Sequence, residues 1–153
     1  MREIMFSILV VSLNAGEKLA ETIRSIFEQE YTDYEVVVKD GGSKDDSLER
    51  LEAYLEQCEE TQRARIRIIR EPDNSIYEGM NQATGYGEGR FYYFLNCGDV
   101  FAHTTALRAV AEAIEKNEAE SRKHLIYYGN IFDALRQQVV SSNPKIDDFA
   151  CYR

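Results

Sequence analysis

Three carboxylates stand just past short apolar runs in this chain. Asp40 follows "EVVVK", Asp73 follows "IRII" within "EPDNSIYEGMN", and Asp99 follows "YYFLNC". A carboxylate beyond a buried strand begins a turn, caps the next helix, or holds a metal or a polar ligand. For Asp99 the third reading has a chemical reason: a hard divalent cation takes oxygen ligands, and magnesium is commonly held by one or two carboxylates plus substrate phosphates. Capping a helix that starts near Thr104 fits poorly, because Asp99 comes several residues too early. A plain turn stays open. Asp40 precedes two glycines, so it reads either as an Asx turn, with Gly41 and Gly42 at positive φ, or as an acceptor for a base or ribose. In "EPDNSIYEGMN", Pro72 stiffens the chain, Asp73 or Ser75 caps a helix, and Tyr77 and Asn81 share one face. A helix start there favours a diphosphate through its free amides and dipole; the bland alternative is ordinary capping with Tyr77 in the core.

Other chemistries fare worse. "GYGEGR", residues 85–90, mimics a dinucleotide fingerprint but precedes a strand where the fingerprint must follow one, so it reads as a loop. His103 and His124 have no serine or cysteine in a triad motif. Cys97 reads as a small packing residue. The net charge is -9, with 27 acidic and 18 basic residues, which argues against nucleic acid as a partner. Three scattered cysteines, Cys58, Cys97 and Cys151, suit no disulfide framework or zinc site and fit a reducing cytoplasm. No apolar run reaches the roughly 20 residues of a membrane span. The expected location is cytoplasmic.

Strands alternating with helices must position these residues. "FSILVVS", Phe6–Ser12, is short, apolar and partly β-branched, as a strand buried on both faces should be. It ends in "SLN", which brings Ser12 and Asn14 to its carboxyl end. Leu19, Ile23, Ile26 and Phe27 then share a helical face. Residues 35–39 form a second strand, and Ser43 and Asp46 stand three apart like a capping box before a helix carrying Leu48, Leu51, Leu55 and Cys58. Residues 66–69 make a third strand and "RFYYFL" a fourth, with a short helix at "SIYEGMNQA" between them. A helix over 105–117 is buried through Leu107, Val110, Ala111 and Ile114. "LIYYGNIF" and "QQVVSS" pair as a hairpin around "DALR". The fold class is α/β, a Rossmann-like, mostly parallel sheet flanked by helices. In such sheets ligands bind beyond the carboxyl ends of the strands, and "SLN", "DGGS", "EPDN" and "NCGD" all fall there.

These clusters, in this order, resemble family 2 glycosyltransferases of the GT-A fold, in the branch that makes bacterial capsule, exopolysaccharide or lipopolysaccharide sugars. The likeness runs over roughly residues 6–132. "VVVKDGGSKDDS" resembles the family's nucleoside-holding segment, with Asp40 as its first aspartate. "EPDNSIYEGMNQA" resembles the branch's Glu-Pro-Asp, Ile-Tyr, Met-Asn segment, and "FLNCGDVF" falls at its metal motif. Three departures stand out: Gly41 replaces a frequent second acid, Leu13 a frequent tyrosine, and Gly98 a frequent metal-site carboxylate.

The resemblance implies transfer of a sugar from a nucleotide-diphospho-sugar of UDP or GDP type to a saccharide or lipid-linked acceptor, with inversion. It implies Asp99 as ligand of a divalent metal, Mn2+ or Mg2+, and Asp40 at the nucleoside. Ser12, Asn14, Asp73, Tyr77 and Asn81 would line the donor pocket. Residues 1–153 correspond to the nucleotide-sugar-binding part. The family's acceptor-binding part, with its catalytic base, would follow; Asp147 and Asp148 come too early for that base, so the catalytic residue is unassigned. The resemblance allows peripheral association of a full-length protein with the inner face of the cytoplasmic membrane. Two rival readings stay open: a nucleotide-sugar-binding module without catalysis, and a non-catalytic scaffold.

Overall fold

Seven residues, Phe6–Ser12, form the central strand β1, because their alternating side chains are apolar or small on both sides. The structure, a computed structural model, describes residues 3–119, 131–133 and 135–140. Along the chain come β1, α1 (Lys18–Phe27), β2 (Tyr34–Asp40), α2 (Ser47–Glu56), α3 (Glu60–Arg63), β3 (Ile66–Arg70), α4 (Ile76–Thr84), β4 (Phe91–Phe94), α5 (Ala106–Ala119), β5 (Ile131–Asp133) and β6 (Gln138–Val140). The chain divides into two compact units, Met1–Leu107 and Arg108–Arg153.

In the first unit the sheet order is β3-β2-β1-β4, and every pairing is parallel. Parallel neighbours need crossovers, and right-handed crossovers place α1 and α2 on one face and α4 on the other. The packing agrees: on one face, Leu9 and Val37 meet Ala83 of α4, joined by Ile69 and Tyr86. Strands buried on both faces explain why β2 shows no polar alternation and is buried along its whole length. Leu19, Ile23 and Ile26 of α1 are fully buried. Each such side chain contributes roughly 1.5–3 kcal/mol relative to leaving it in water. The chain runs outward from β1 to β2 and β3, then returns to place β4 on the opposite side of β1. That reversal opens a crevice between the carboxyl ends of β1 and β4.

In the second unit β5 and β6 pair antiparallel, Ile131 opposite Val140 and Asp133 opposite Gln138. This is the expected hairpin around "DALR". Residues 125–130 of its first arm, together with Asp147 and Asp148, lie outside the described residues. In α5, Leu107 of the first unit and Ala111 and Ile114 of the second are buried as expected, while Val110 is only half-buried.

Two local expectations are corrected. Ser43 and Asp46 form no capping box: Asp46 sits at the N-cap of α2 without a capping side-chain hydrogen bond, its carboxylate pairing with Arg50 at 2.7 Å. Ser43 instead donates its hydroxyl back to Asp40 Oδ1. The capping work falls to Asp45, whose Oδ1 accepts the backbone N–H of Ser47 at 3.2 Å. Nor do both glycines after Asp40 take positive φ. Gly42 does, at 98°, and Gly41 does not.

Candidate functional site

The site is built from loops that leave the four strands on the same edge, and those loops are tied to one another. Ser12 carbonyl accepts Gly41 N–H at 2.9 Å, and Asp40 carbonyl accepts Glu71 N–H at 3.0 Å. Asn14, held at a positive φ of 49°, donates its N–H to Ser43 Oγ at 2.8 Å. Its side-chain oxygen accepts Lys44 N–H at 2.8 Å. The first three clusters are therefore one hydrogen-bonded shelf. The fourth hangs from α1: Thr22 Oγ1 accepts Gly98 N–H at 2.9 Å and donates to Asp99 carbonyl at 2.9 Å.

Asp40 is completely buried. Its Oδ2 accepts the N–H groups of Gly42 at 3.0 Å and Ser43 at 2.9 Å, the geometry of an Asx turn. The guanidinium of Arg70, across the strand register from Asp40, has its Nε 3.9 Å from the same oxygen and is mostly exposed. Asp40 thus shapes the loop, and any ligand meeting that charge meets Arg70 beside it.

Asp73 lies in the entry to α4 with its side chain 8% exposed, and its Oδ2 pairs with the ammonium of the fully buried Lys39. Ser75, not Asp73, caps α4, accepting Glu78 N–H at 3.2 Å. Glu78 Oε2 accepts both the N–H and the side-chain amide of Asn74, at 2.7 and 2.9 Å. Those bonds, the backbone one first, hold the Glu78 carboxyl below its usual range. Tyr77 is 75% exposed, which rules out the core role that the bland reading gave it. Asn81, one turn on, is exposed as well.

At the reversal point Ser12 is 3% exposed, and among the described residues its buried hydroxyl has no hydrogen-bond partner of normal geometry. The Cys97 thiol is its neighbour. Burial pushes that thiol up, the Ser12 hydroxyl and the Lys18 ammonium oppose the rise, and Asp45 and Asp99 add to it. Cys97, Lys18, Asp45 and Asp99 therefore share one electrostatic neighbourhood at the mouth of the crevice. Asp99 itself is exposed.

Among the described residues no group of three or more His, Cys, Asp or Glu side chains gathers to cage a metal. An exposed lone carboxylate still suits a cation that draws its remaining oxygens from a diphosphate and water. The residues present fit that kind of site and not a dedicated protein cage.

Ser12, Asn14, Asp40, Asp73, Tyr77, Asn81 and Asp99 all lie on the carboxyl edge of the sheet or in the helix that opens from it. Sequence reading missed three cations there. The sequence marks Lys39 only as the end of a strand. Arg70, the last residue of β3, stands directly before "EPDN", a position that carried the signal. Lys18 passes close over Gly98, its Cδ 3.6 Å from where a Cβ at that glycine would lie; nothing in the local sequence marks that approach.

Comparison with known proteins bears on the family and the fold. Residues 7–146 match the family described as glycosyl transferase family 2. A "PGL/p-HBAD biosynthesis glycosyltransferase" of Mycobacterium tuberculosis (strain ATCC 25618 / H37Rv) is 30% identical over 127 residues, spanning 83% of this chain and 46% of its own length. The uncharacterized glycosyltransferase EpsJ of Bacillus subtilis (strain 168) is 25% identical over 116 residues, 76% of this chain and 32% of EpsJ. The chain thus spans less than half the length of the curated relatives it matches. Among solved structures, S. aureus TarS 1-349 in complex with UDP-GlcNAc superposes with a TM-score of 0.64 at 24% identity, covering 74% of this chain and 32% of that one. The mannosyltransferase PcManGT from Pyrobaculum calidifontis, in complex with GDP-Man and Mn2+, gives 0.65 at 17% identity, covering 73% and 32%. These two share the GT-A fold with this chain. Among the described residues no helix is long and apolar enough to cross a membrane.

Proposed function

The chain belongs to glycosyl transferase family 2, and from that premise we propose that it binds a nucleotide-diphospho-sugar in the crevice between β1 and β4. In this reading it is the donor-holding part of an enzyme that moves the sugar to an acceptor hydroxyl with inversion. The observation that supports it most is the convergence of four loops on one edge, at the topological reversal, with unspent polar groups among them.

Roles follow from positions. Asp40 and its Asx turn form the floor for the nucleoside, with Arg70 at its side. Ser12 offers an unpartnered hydroxyl at the crevice, and Asn14 holds the loop above it. Asp73, Tyr77 and Asn81 line the side made by α4. A divalent metal, Mn2+ or Mg2+, held at Asp99 would neutralise charge on the departing diphosphate. The transfer itself requires a base to take the proton of the acceptor hydroxyl. The hydroxyl oxygen then bonds to the anomeric carbon as that carbon's bond to the diphosphate oxygen breaks. No described residue is assigned as the base. The donor is of UDP or GDP type and the acceptor a saccharide or a lipid-linked saccharide, used in cell-surface polysaccharide synthesis on the cytoplasmic side, at or near the membrane face.

The test is calorimetry of the chain with UDP, GDP and their sugar conjugates, with and without Mn2+. Metal-dependent binding of a nucleoside diphosphate supports the proposal. A chain that binds none of them is a scaffold.

A further inference from the structure

Lys39 presents a physical problem that the donor-binding reading does not absorb. It sits in β2 with Val11 and Ile69 as its neighbours in register, and it is fully buried. A buried ammonium is costly unless paired, and even a good buried pair is commonly no more stabilising than apolar residues of the same volume. A site that keeps such a pair next to a ligand crevice has another use for it.

The partner of Lys39 is Asp73, 34 residues away in the loop that opens α4. Room for the pair is made by two glycines. A Cβ at Gly41 would lie 2.7 Å from Asp73 Oδ2, and one at Gly79 would lie 3.1 Å from the same oxygen and 2.7 Å from Val11 Cγ1. Gly41 therefore serves as space for the Asp73 carboxylate. The acid absent from position 41 is supplied there in space by Asp73. The rest of the loop is fixed on either side: Glu71 N–H is bonded to Asp40 carbonyl, Glu71 Oε2 accepts the Tyr86 hydroxyl at 2.9 Å, and Asn74 is bonded twice to Glu78. Among the described residues, Lys39 is the one tie that runs from this loop down into the sheet through a side chain. Oδ2 of Asp73 takes the ammonium, and among the described residues no hydrogen bond is made to Oδ1.

We propose that Lys39 is a positioning residue of the donor site: its buried ammonium holds Asp73 against Gly41 and Gly79, so that Asp73 Oδ1 stands as a fixed, charged acceptor for a hydroxyl or N–H of the nucleotide sugar. This rests on the donor-binding reading above. It goes further in assigning a function to a fully buried residue.

The experiment measures urea stability and calorimetric affinity, with Mn2+, for whichever of UDP, GDP or their sugar conjugates the wild type binds best. The variants are Lys39→Met, Asp73→Asn and the double variant. Each single variant leaves one buried charge unpaired, so both stability and affinity fall, the affinity at least tenfold. The double variant removes both charges, and its stability returns toward wild type while its affinity stays at least tenfold down. Should Lys39→Met fail to fold, the double variant decides alone. Affinity within twofold of wild type in either Lys39→Met or the double variant overturns the inference and makes the pair structural. A wild-type chain that binds no nucleotide contradicts the proposed function itself, and this inference with it.

Discussion

The two ends of the sheet carry similar residue types and use them in opposite ways. At the amino end, on the face that α4 covers, Glu35 is 6% exposed and fully engaged. Its Oε1 accepts the Ser7 hydroxyl at 2.6 Å and the Glu88 N–H at 2.5 Å. Its Oε2 takes Arg67 at 2.5 Å. Arg67 also donates to Tyr86 carbonyl at 2.6 Å, and Ser7 Oγ accepts Gly89 N–H at 2.8 Å. At the carboxyl end the polar groups are only partly engaged: Ser12 Oγ has no partner of normal geometry among the described residues, Asn81 and Asp99 are exposed, and Leu13, Ile76, Tyr77 and Val100 are at least half exposed. A closed network serves stability. An open one, beside exposed aromatic and aliphatic surface, is what a binding site looks like before its ligand arrives.

If that contrast is right, damage at the amino end should cost stability and spare ligand binding. The largest effect is expected for Gly89→Ala. A Cβ there would lie 2.5 Å from Ser7 N and 2.6 Å from Phe6 carbonyl carbon, both backbone atoms that cannot swing aside. Urea denaturation should show a loss on the order of 3 kcal/mol, with nucleotide affinity of the folded fraction unchanged. Glu35→Ala strands Ser7 Oγ, Glu88 N–H and Arg67 together. It should cost about 2–3 kcal/mol, again without a change in affinity.

The opposite pattern is expected at the carboxyl end. Asp99→Asn should leave stability within about 0.5 kcal/mol, as an exposed substitution does, and abolish the metal dependence of diphosphate binding. Equal metal-dependent affinity in calorimetry would make Asp99 a turn residue. Ser12→Ala removes a buried hydroxyl that among the described residues has no partner of normal geometry beyond the neighbouring Cys97 thiol, so stability should hold or rise slightly while affinity falls. A clear loss of stability would show that the hydroxyl is spent inside the fold.

The smallest effect concerns pH. Burial alone would raise the Glu35 carboxyl, but the bonds from Ser7, Glu88 and Arg67 outweigh it and hold the group below its ordinary 4.5. A carboxyl with a depressed folded value contributes stability that is present above 4.5 and lost as pH falls through the folded value. Wild type should therefore weaken below that pH, and Glu35→Gln should show a flatter acid limb in thermal melts.

What was legible in the sequence follows from range. Strands and helices of the first unit show in runs of apolar residues, because burial on both faces of β1 and β2 leaves an unbroken signal. "GYGEGR" reads correctly as a loop, yet the reason for Gly89, contact with β1, is a matter of residues 82 positions apart. The amino-end network joins positions 28, 32 and 53 apart, and no local pattern announces such pairs. Asp40, Asp73 and Asp99 could be placed on the right edge from strand ends alone. The Asx turn at Asp40 is local and stands among the readings of its sequence; the charge pairing was not legible, since Lys39 reaches Asp73 and Arg70 reaches Asp40 only across the sheet.

The most direct test of the central claim is to map the ligand onto the fold. Amide chemical shifts of the 15N-labelled chain would be followed through titration with UDP and GDP in the presence of Mg2+. Saturable shifts are expected only at residues 12–16, 40–47, 70–81 and 96–100, with Ser7, Glu35, Arg67 and Glu88 unmoved. Shifts centred on the amino-end network, or none with either nucleotide, would contradict that claim.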